Sequence, residues 1–415
     1  MSTRGAIEAV FRIESPRLIG ALTRLTRDVG RAEELAQDAL VAALEQWPGE
    51  GVPDNPGAWL MQAAKHRAVD ALRFRSMAER KHEEVARDAR LDEGRAPDLD
   101  TKLDEDVGDD LLRLVLIACH PILSTDARVA MTLRLLGGLS TPEIARAFLT
   151  PETTIQQRIV RAKKTLADAR VPFEVPKGPE LTERLESVLE VIYLVFNEGY
   201  SATAGDDLLR PQLCEDALRL GRILAGLVPG EPEAHGLVAL MELQASRARA
   251  RVAPDGAPVL LPEQNRAQWD PLLIRRGLLA LERAEALAEA PGSYVLQAGI
   301  AACHARARTF EETDWARIVG LYGALAELNP SPVVELNRAV ALSMLMGPEA
   351  GLKIVDGLKG DPQLSGYHLL WAVRADLLVK LGRREEAKVE LEKAAALTQN
   401  ERERTLLLER RSTLE

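Results

Sequence analysis

The sequence predicts an all-α protein: two helical domains, the second a helix–turn–helix, joined by a flexible acidic linker and followed by a long helical extension. Three observations lead there. Apolar residues recur at helical spacing through nearly every segment, and Pro/Gly clusters interrupt them at intervals suited to helices of moderate length. The third observation is residues 139–166, LSTPEIARAFLTPETTIQQRIVRAKKTL, around which the chain is organised. They predict two short helices with a tight turn between them. Ser140 and Glu143 have the spacing of a capping box, with Leu139 and Ile144 as the hydrophobic staple. The chain turns at Leu149-Thr150; Thr150 is the expected cap of the second helix and Pro151 its first residue. Ile155, Ile159, Ala162 and Leu166 form the buried stripe of that helix. Thr153, Thr154, Gln156, Gln157, Arg158, Arg161, Lys163 and Lys164 are the candidate DNA-contacting residues. Gln and Arg can bond base edges in pairs, while Lys and Thr hold phosphates.

Composition bounds the function. The chain has 415 residues, enough for two or three full cores, and its 46% hydrophobic and 28% charged residues are ordinary for a globular protein. No apolar run approaches the roughly 20 residues needed to span a bilayer. The N-terminus lacks a secretory apolar core, which predicts a cytoplasmic protein without membrane association. Cys119, Cys214 and Cys303 are widely separated, which suits a reducing compartment. A net charge of −10 means that any attraction to DNA phosphates comes from local patches.

Residues 5–76 read as a first helical domain. An amphipathic segment at 6–25 is followed by 31–44, RAEELAQDALVAAL, whose stripe is Leu35, Ala39, Ala42 and Ala43. Glu33, Glu34, Gln37 and Asp38 form its acidic face. Trp47-Pro48 is the expected end of that helix. Residues 58–75, AWLMQAAKHRAVDALRFR, predict another, with Trp59, Leu60, Ala63, Ala64, Ala68 and Leu72 inward. Its polar candidates are Lys65, His66, Arg67, Asp70 and Arg73. Residues 77–108 lack apolar periodicity; acids and bases alternate at first, and then Asp92, Glu93, Asp98, Asp100, Asp104, Glu105 and Asp106 accumulate. That composition predicts a flexible linker. Residues 109–171 complete the second domain, and PFEVPKGP at 172–179 marks its boundary.

AEELAQDAL, a loop ending in PGAWL, AAKHRAVDALR and the helix–turn–helix, in that order, resemble the extracytoplasmic-function sigma factors of bacterial RNA polymerase. Ala32-Glu33-Glu34 with Gln37-Asp38 match one region 2 element of that family, and Lys65-His66 with Asp70 and Arg73 match another. Lys-His stands where the family usually has Arg-Asn. LSTPEIA and ETTIQQRIVRAK match region 4, with Leu149 in place of the usual turn glycine. The resemblance implies that Glu33, Glu34, Gln37 and Asp38 dock on core RNA polymerase. It implies that Lys65, His66, Arg67, Asp70 and Arg73 engage the promoter element nearer the start site, and that the second helix reads the more distant one.

Residues 180–415 predict a helical extension, which the resemblance assigns to a sigma subgroup carrying a tetratricopeptide-like domain; the matching stretches are FNEGYSA, LCEDALRLGRIL, IAACHA and SPVVELNRAVA. Its best-defined unit is 367–397, where Trp371, Ala375, Leu378, Gly382, Ala387, Leu391 and Ala394 fall at that repeat's packing positions. Such helix pairs stack because one pair cannot bury its apolar side alone, and their groove most often takes a protein segment. For Asn197-Glu198-Gly199-Tyr200, a helix stop with a left-handed Gly199 is favoured over a ligand site. Cys119-His120 and Cys303-His304 are adjacent pairs, which point about 100° apart on a helix and do not make a metal site. No phosphate loop, nucleophile elbow or metal motif predicts an enzyme or a cofactor. The competing reading is a stand-alone helix–turn–helix regulator with a protein-binding extension.

Overall fold

The helical reading holds in the computed structural model, which describes residues 3–67, 107–202, 204–205 and 208–414. Contacts divide the chain into residues 1–191 and 192–415. In the first unit, α1 spans Thr3–Thr26 and α2 Val29–Glu50. Asp28 caps α2 by accepting from the Arg31 N–H at 3.0 Å. Trp47-Pro48 does not end this helix. Proline in the last turn removes only one intrahelical bond, and Gly51, at φ +88°, closes the helix instead. Trp47 is buried edge-on against Trp59, with ring centroids 5.2 Å apart. Residues 56–67 form α3. The rest of the helix expected to run to 75, including Asp70 and Arg73, and nearly all of the linker lie outside the described residues.

The second half of this unit contains α4 (Val107–Ala118), α5 (Thr125–Leu135), α6 (Thr141–Ala147) and α7 (Glu152–Asp168). The helix–turn–helix is α6 and α7, both packed on α5. Helix α1 packs on α2 and α4. Its contact with α4 is close: a Cβ on Gly20 would lie 2.9 Å from the Asp110 carbonyl oxygen. Asp110, almost fully buried, sits between Arg24 at 3.2 Å and Arg113 at 2.7 Å. The start of α8 (Pro179–Tyr200) belongs here too, since Ser187 Oγ donates to the Cys119 carbonyl at 2.6 Å. Burial pushes the Cys119 thiol up to about 12 and lowers the His120 imidazole to about 4. That Cys-His pair is part of the packing, with Cys119 Sγ 3.2 Å from Thr132 Oγ1.

In the second unit each helix packs on the next: α9 (Pro211–Leu227), α10 (Pro232–Ala245), α11 (Pro271–Leu287), α12 (Ser293–Arg306), α13 (Trp315–Leu328), α14 (Pro332–Met346), α15 (Pro348–Leu358), α16 (His368–Lys380), α17 (Arg384–Leu397) and α18 (Glu401–Ser412). Local chemistry sets the starts. Asp270-Pro271 and Ser331-Pro332 each place a capping side chain before a proline that needs no N–H. Buried ions pin consecutive helices. Glu242 on α10 meets Arg222 on α9 at 2.8 Å and Arg276 on α11 at 3.5 Å. Arg374 on α16 meets Asp356 on α15 at 2.8 Å and Glu390 on α17 at 2.6 Å. The packing positions read at 371, 375, 378, 387, 391 and 394 are all buried, and Gly382 turns the chain at φ +74°. Two short strands, β1 (Ala204–Gly205) and β2 (Gln399–Asn400), pair in parallel. Asn400 is fully buried and donates from Nδ2 to the Ala202 carbonyl at 3.1 Å.

Gly199 is not the helix stop expected of it. It lies inside α8 without a positive φ, and a Cβ there would stand 2.6 Å from the Cys214 backbone nitrogen. Its lack of a side chain lets α9 approach α8. Glu198 is tied to Arg210, and Tyr200 stacks on Phe196 at 5.6 Å.

Candidate nucleic-acid and polymerase interfaces

The helix–turn–helix forms as its local sequence dictates. Ser140 Oγ accepts from the Glu143 N–H at 3.4 Å, and Glu143 Oε2 accepts from the Ser140 N–H at 2.7 Å. Arg12 reaches Glu143 from α1 at 2.7 Å. Burial would raise the Glu143 carboxyl; the bonds from Ser140 and the Arg12 cation hold it below its usual range. The turn departs from expectation. Thr150 Oγ1 donates back to the Phe148 carbonyl at 3.0 Å, so Thr150 does not cap α7; Pro151 occupies the cap position without a side-chain bond. Leu149 adopts φ +47°, the left-handed conformation that a glycine takes without strain.

Helix α7 buries Ile155, Ile159, Ala162 and Leu166, as its spacing predicts. The candidate contact residues then divide. Thr153, Gln156, Gln157, Arg161 and Lys164 are exposed, and Thr154 is half-buried. Arg158 bends back to Asp126 on α5 at 2.8 Å, and Lys163 to Glu33 on α2 at 2.5 Å. Val160, which sequence reasoning passed over, is 59% exposed between Gln157 and Lys164. Its place off the buried stripe was the available signal. An apolar side chain on that face can meet a thymine methyl group.

The acidic face of α2 divides in the same way. Glu34, paired with Arg31 at 2.9 Å, and Asp38 are exposed, and Gln37 is half-buried. Glu33 is only 5% exposed and lies between Arg134 at 2.6 Å and Lys163 at 2.5 Å. Burial alone would raise its carboxyl; the two cations outweigh that and hold it below its usual range. Among the α3 candidates, His66 is exposed and Lys65 half-buried. Arg67 donates to the Asp38 carbonyl oxygen, which joins a candidate DNA contact to the candidate docking face.

A helical module with an acidic face, followed by a helix–turn–helix with a Gln/Arg/Lys face, defines a DNA-binding protein of the transcription machinery. Comparison with known proteins gives the family. Residues 10–77 match sigma-70 region 2, and residues 113–166 match sigma-70 region 4. Residues 184–285 match a family of unknown function, DUF6596. The ECF RNA polymerase sigma factor SigK of Mycobacterium sp. (strain KMS) is 30% identical over 158 residues, 37% of this chain and 77% of its own length. The RNA polymerase sigma-H factor of Pseudomonas aeruginosa is 27% identical over 159 residues, 38% of this chain and 82% of its own. The uncharacterized protein R00370 of Rhizobium meliloti (strain 1021) is 44% identical over 402 residues, 96% of this chain and 94% of its own, so its likeness takes in the extension as well. The chain belongs to the extracytoplasmic-function sigma factors of the sigma-70 family, and it directs transcription initiation. These sigma families are not enzyme families. No helix among the described residues is long and apolar enough to cross a membrane.

Proposed function

We propose that α7 reads the more distant promoter element through Thr153, Gln156, Gln157, Val160, Arg161 and Lys164. Glu34, Gln37 and Asp38 dock the chain on core RNA polymerase, and Lys65, His66 and Arg67 of α3 engage the element nearer the start site. Asp70 and Arg73, which follow in the sequence, share that role. The reading is supported chiefly by one observation: five polar candidates of α7 share an exposed face, while the four apolar residues of its stripe, Ile155, Ile159, Ala162 and Leu166, are buried. Glu33 and Lys163 have a second role. Paired with each other they are withheld from polymerase and DNA, and they become available when α2 and α7 separate. The unit spanning residues 192–415 modulates activity by binding a further partner.

The test is core-polymerase binding and run-off transcription by the full chain, with DNA from upstream of its own gene as template. Gln157→Ala and Arg161→Ala should each lower promoter selectivity, by about tenfold for a lost paired base contact. Lys164→Ala should weaken binding evenly across sequences and reduce the salt slope by about one. Wild-type protein that binds promoter DNA tightly without core polymerase would replace this reading with that of a stand-alone regulator. Comparing residues 1–200 with the full chain reads the sign of the modulation.

A further inference from the structure

The second unit contains a cavity of about 370 Å³ that the promoter and polymerase roles leave unused. That volume lies at the lower end for small-molecule sites. The cavity opens between α8, α10, α12, α13 and α14. Its apolar wall includes Leu243, Ile300, Ala301 and Val333, and Tyr193 and Tyr322 add aromatic surface. Its polar rim is made of side-chain amides, those of Gln244, Gln297, Asn329 and Asn337.

The charge pattern is one-sided. In a chain with net charge −10, the cavity lining has no carboxylate, and Arg247 is its one charged residue. Arg247 forms no ion pair among the described residues. Its guanidinium donates to the Tyr200 hydroxyl from Nη2 at 2.5 Å and from Nε at 3.2 Å, and it lies 5.7 Å from the Trp269 ring centre. Arg266 lies over the same ring at 4.6 Å and adds positive potential. The Tyr200 hydroxyl thus holds Arg247 at the cavity without neutralising it. The second polar group of the wall is His304, whose Nδ1 is buried without a hydrogen-bond partner. Burial and the two arginines lower its imidazole to about 4, so it is neutral at pH 7. Gln297 is fixed, accepting from Tyr193 at 3.2 Å and donating to Ser293 at 3.2 Å.

We propose that this cavity binds a single carboxylate carried on an apolar, ring-sized body, with the carboxylate on Arg247 and the body against Ile300, Ala301 and Tyr322. One cation suits a monoanion; a di- or triphosphate would carry several charges against a single arginine. A free aromatic acid and the last residue of a peptide share this chemistry. The site requires neither DNA nor polymerase, so its test is independent of the transcription reading.

The experiment is calorimetric titration of the full chain with phenylacetate and with a tripeptide ending in phenylalanine, each alongside its neutral amide. The expected result is binding of at least one acid, with its amide weaker by about tenfold to a hundredfold, the worth of a charge-assisted bond. Arg247→Gln should weaken the acid similarly, and Ala301→Phe, which fills the cavity, should abolish binding. Circular dichroism reports whether each variant folds; if Arg247→Gln does not, the acid–amide pairs and Ala301→Phe decide. Binding of phenylacetate identifies a free acid, and binding of the peptide alone identifies a chain terminus. Acids that bind no better than their amides, or equally well to Ala301→Phe, overturn the proposal.

Discussion

Single residues show where local chemistry and the fold disagree. Leu149 holds φ +47° in the turn before α7 and is more than half exposed, so its side chain contributes little packing to offset the strain. A left-handed L-residue costs about 1–2 kcal/mol, and glycine costs about 0.5–1 in chain entropy. Leu149→Gly should therefore stabilise the first unit by about 0.5–1 kcal/mol, measured by urea unfolding. Glu33 is the opposite case, because its position is held by long-range partners. Glu33→Gln leaves Arg134 and Lys163 facing a neutral group and should cost about 3 kcal/mol, the scale for breaking a buried pair. The pH dependence has a definite sign. The folded carboxyl titrates below the ordinary value of 4.5, so its contribution is complete above pH 4.5 and is lost as pH falls through the folded value. Acid unfolding curves of the wild type should show this loss, and Glu33→Gln should flatten it. The sequence showed Glu33 as one acid on a polar face. It could not show the burial, because Arg134 is 101 residues away and Lys163 still further.

At the scale of elements, what could be read was what is decided within a few residues. The capping box at Ser140 and Glu143, the α7 stripe and the packing positions of α16 and α17 are set by spacing along one helix, and all appear as read. Elements whose form depends on a neighbour were misread. Gly199 looked like a stop because glycine follows helices; its actual constraint is the Cys214 backbone of α9. Gly199→Ala tests this. Alanine would gain about 1 kcal/mol of helix propensity, but its Cβ would meet a backbone atom that cannot rotate away. The expected net loss is about 1–2 kcal/mol in the second unit, measured by thermal unfolding; a gain would return Gly199 to the role of an ordinary helix residue. The same reasoning separates the α7 candidates. Arg158 and Lys163 share the charge of Arg161 and Lys164, but Asp126 and Glu33, on other helices, draw them inward.

At the scale of the whole molecule, the pairing of β1 with β2 changes how the second unit responds to cutting. An open stack of helices behaves as a line: each member answers to its neighbours, and the ends fray independently. Here Ala204 and Gly205 pair with Gln399 and Asn400, and Arg402 reaches the Asp255 carbonyl at 3.3 Å. These contacts join the first part of the line to its last, and melting of the C-terminal helices must open that seam. Removing residues 399–415 should then lower the unfolding midpoint of α9 and α10, far away in sequence, as read by hydrogen exchange. Asn400→Ala should do the same more mildly, by about 1–3 kcal/mol for the partners it leaves unpaired. If exchange rises only in α17 after the truncation, the stack is linear after all. A seam of this kind also couples distant parts of the chain, so an event near α18 is registered at the segment between α8 and α9.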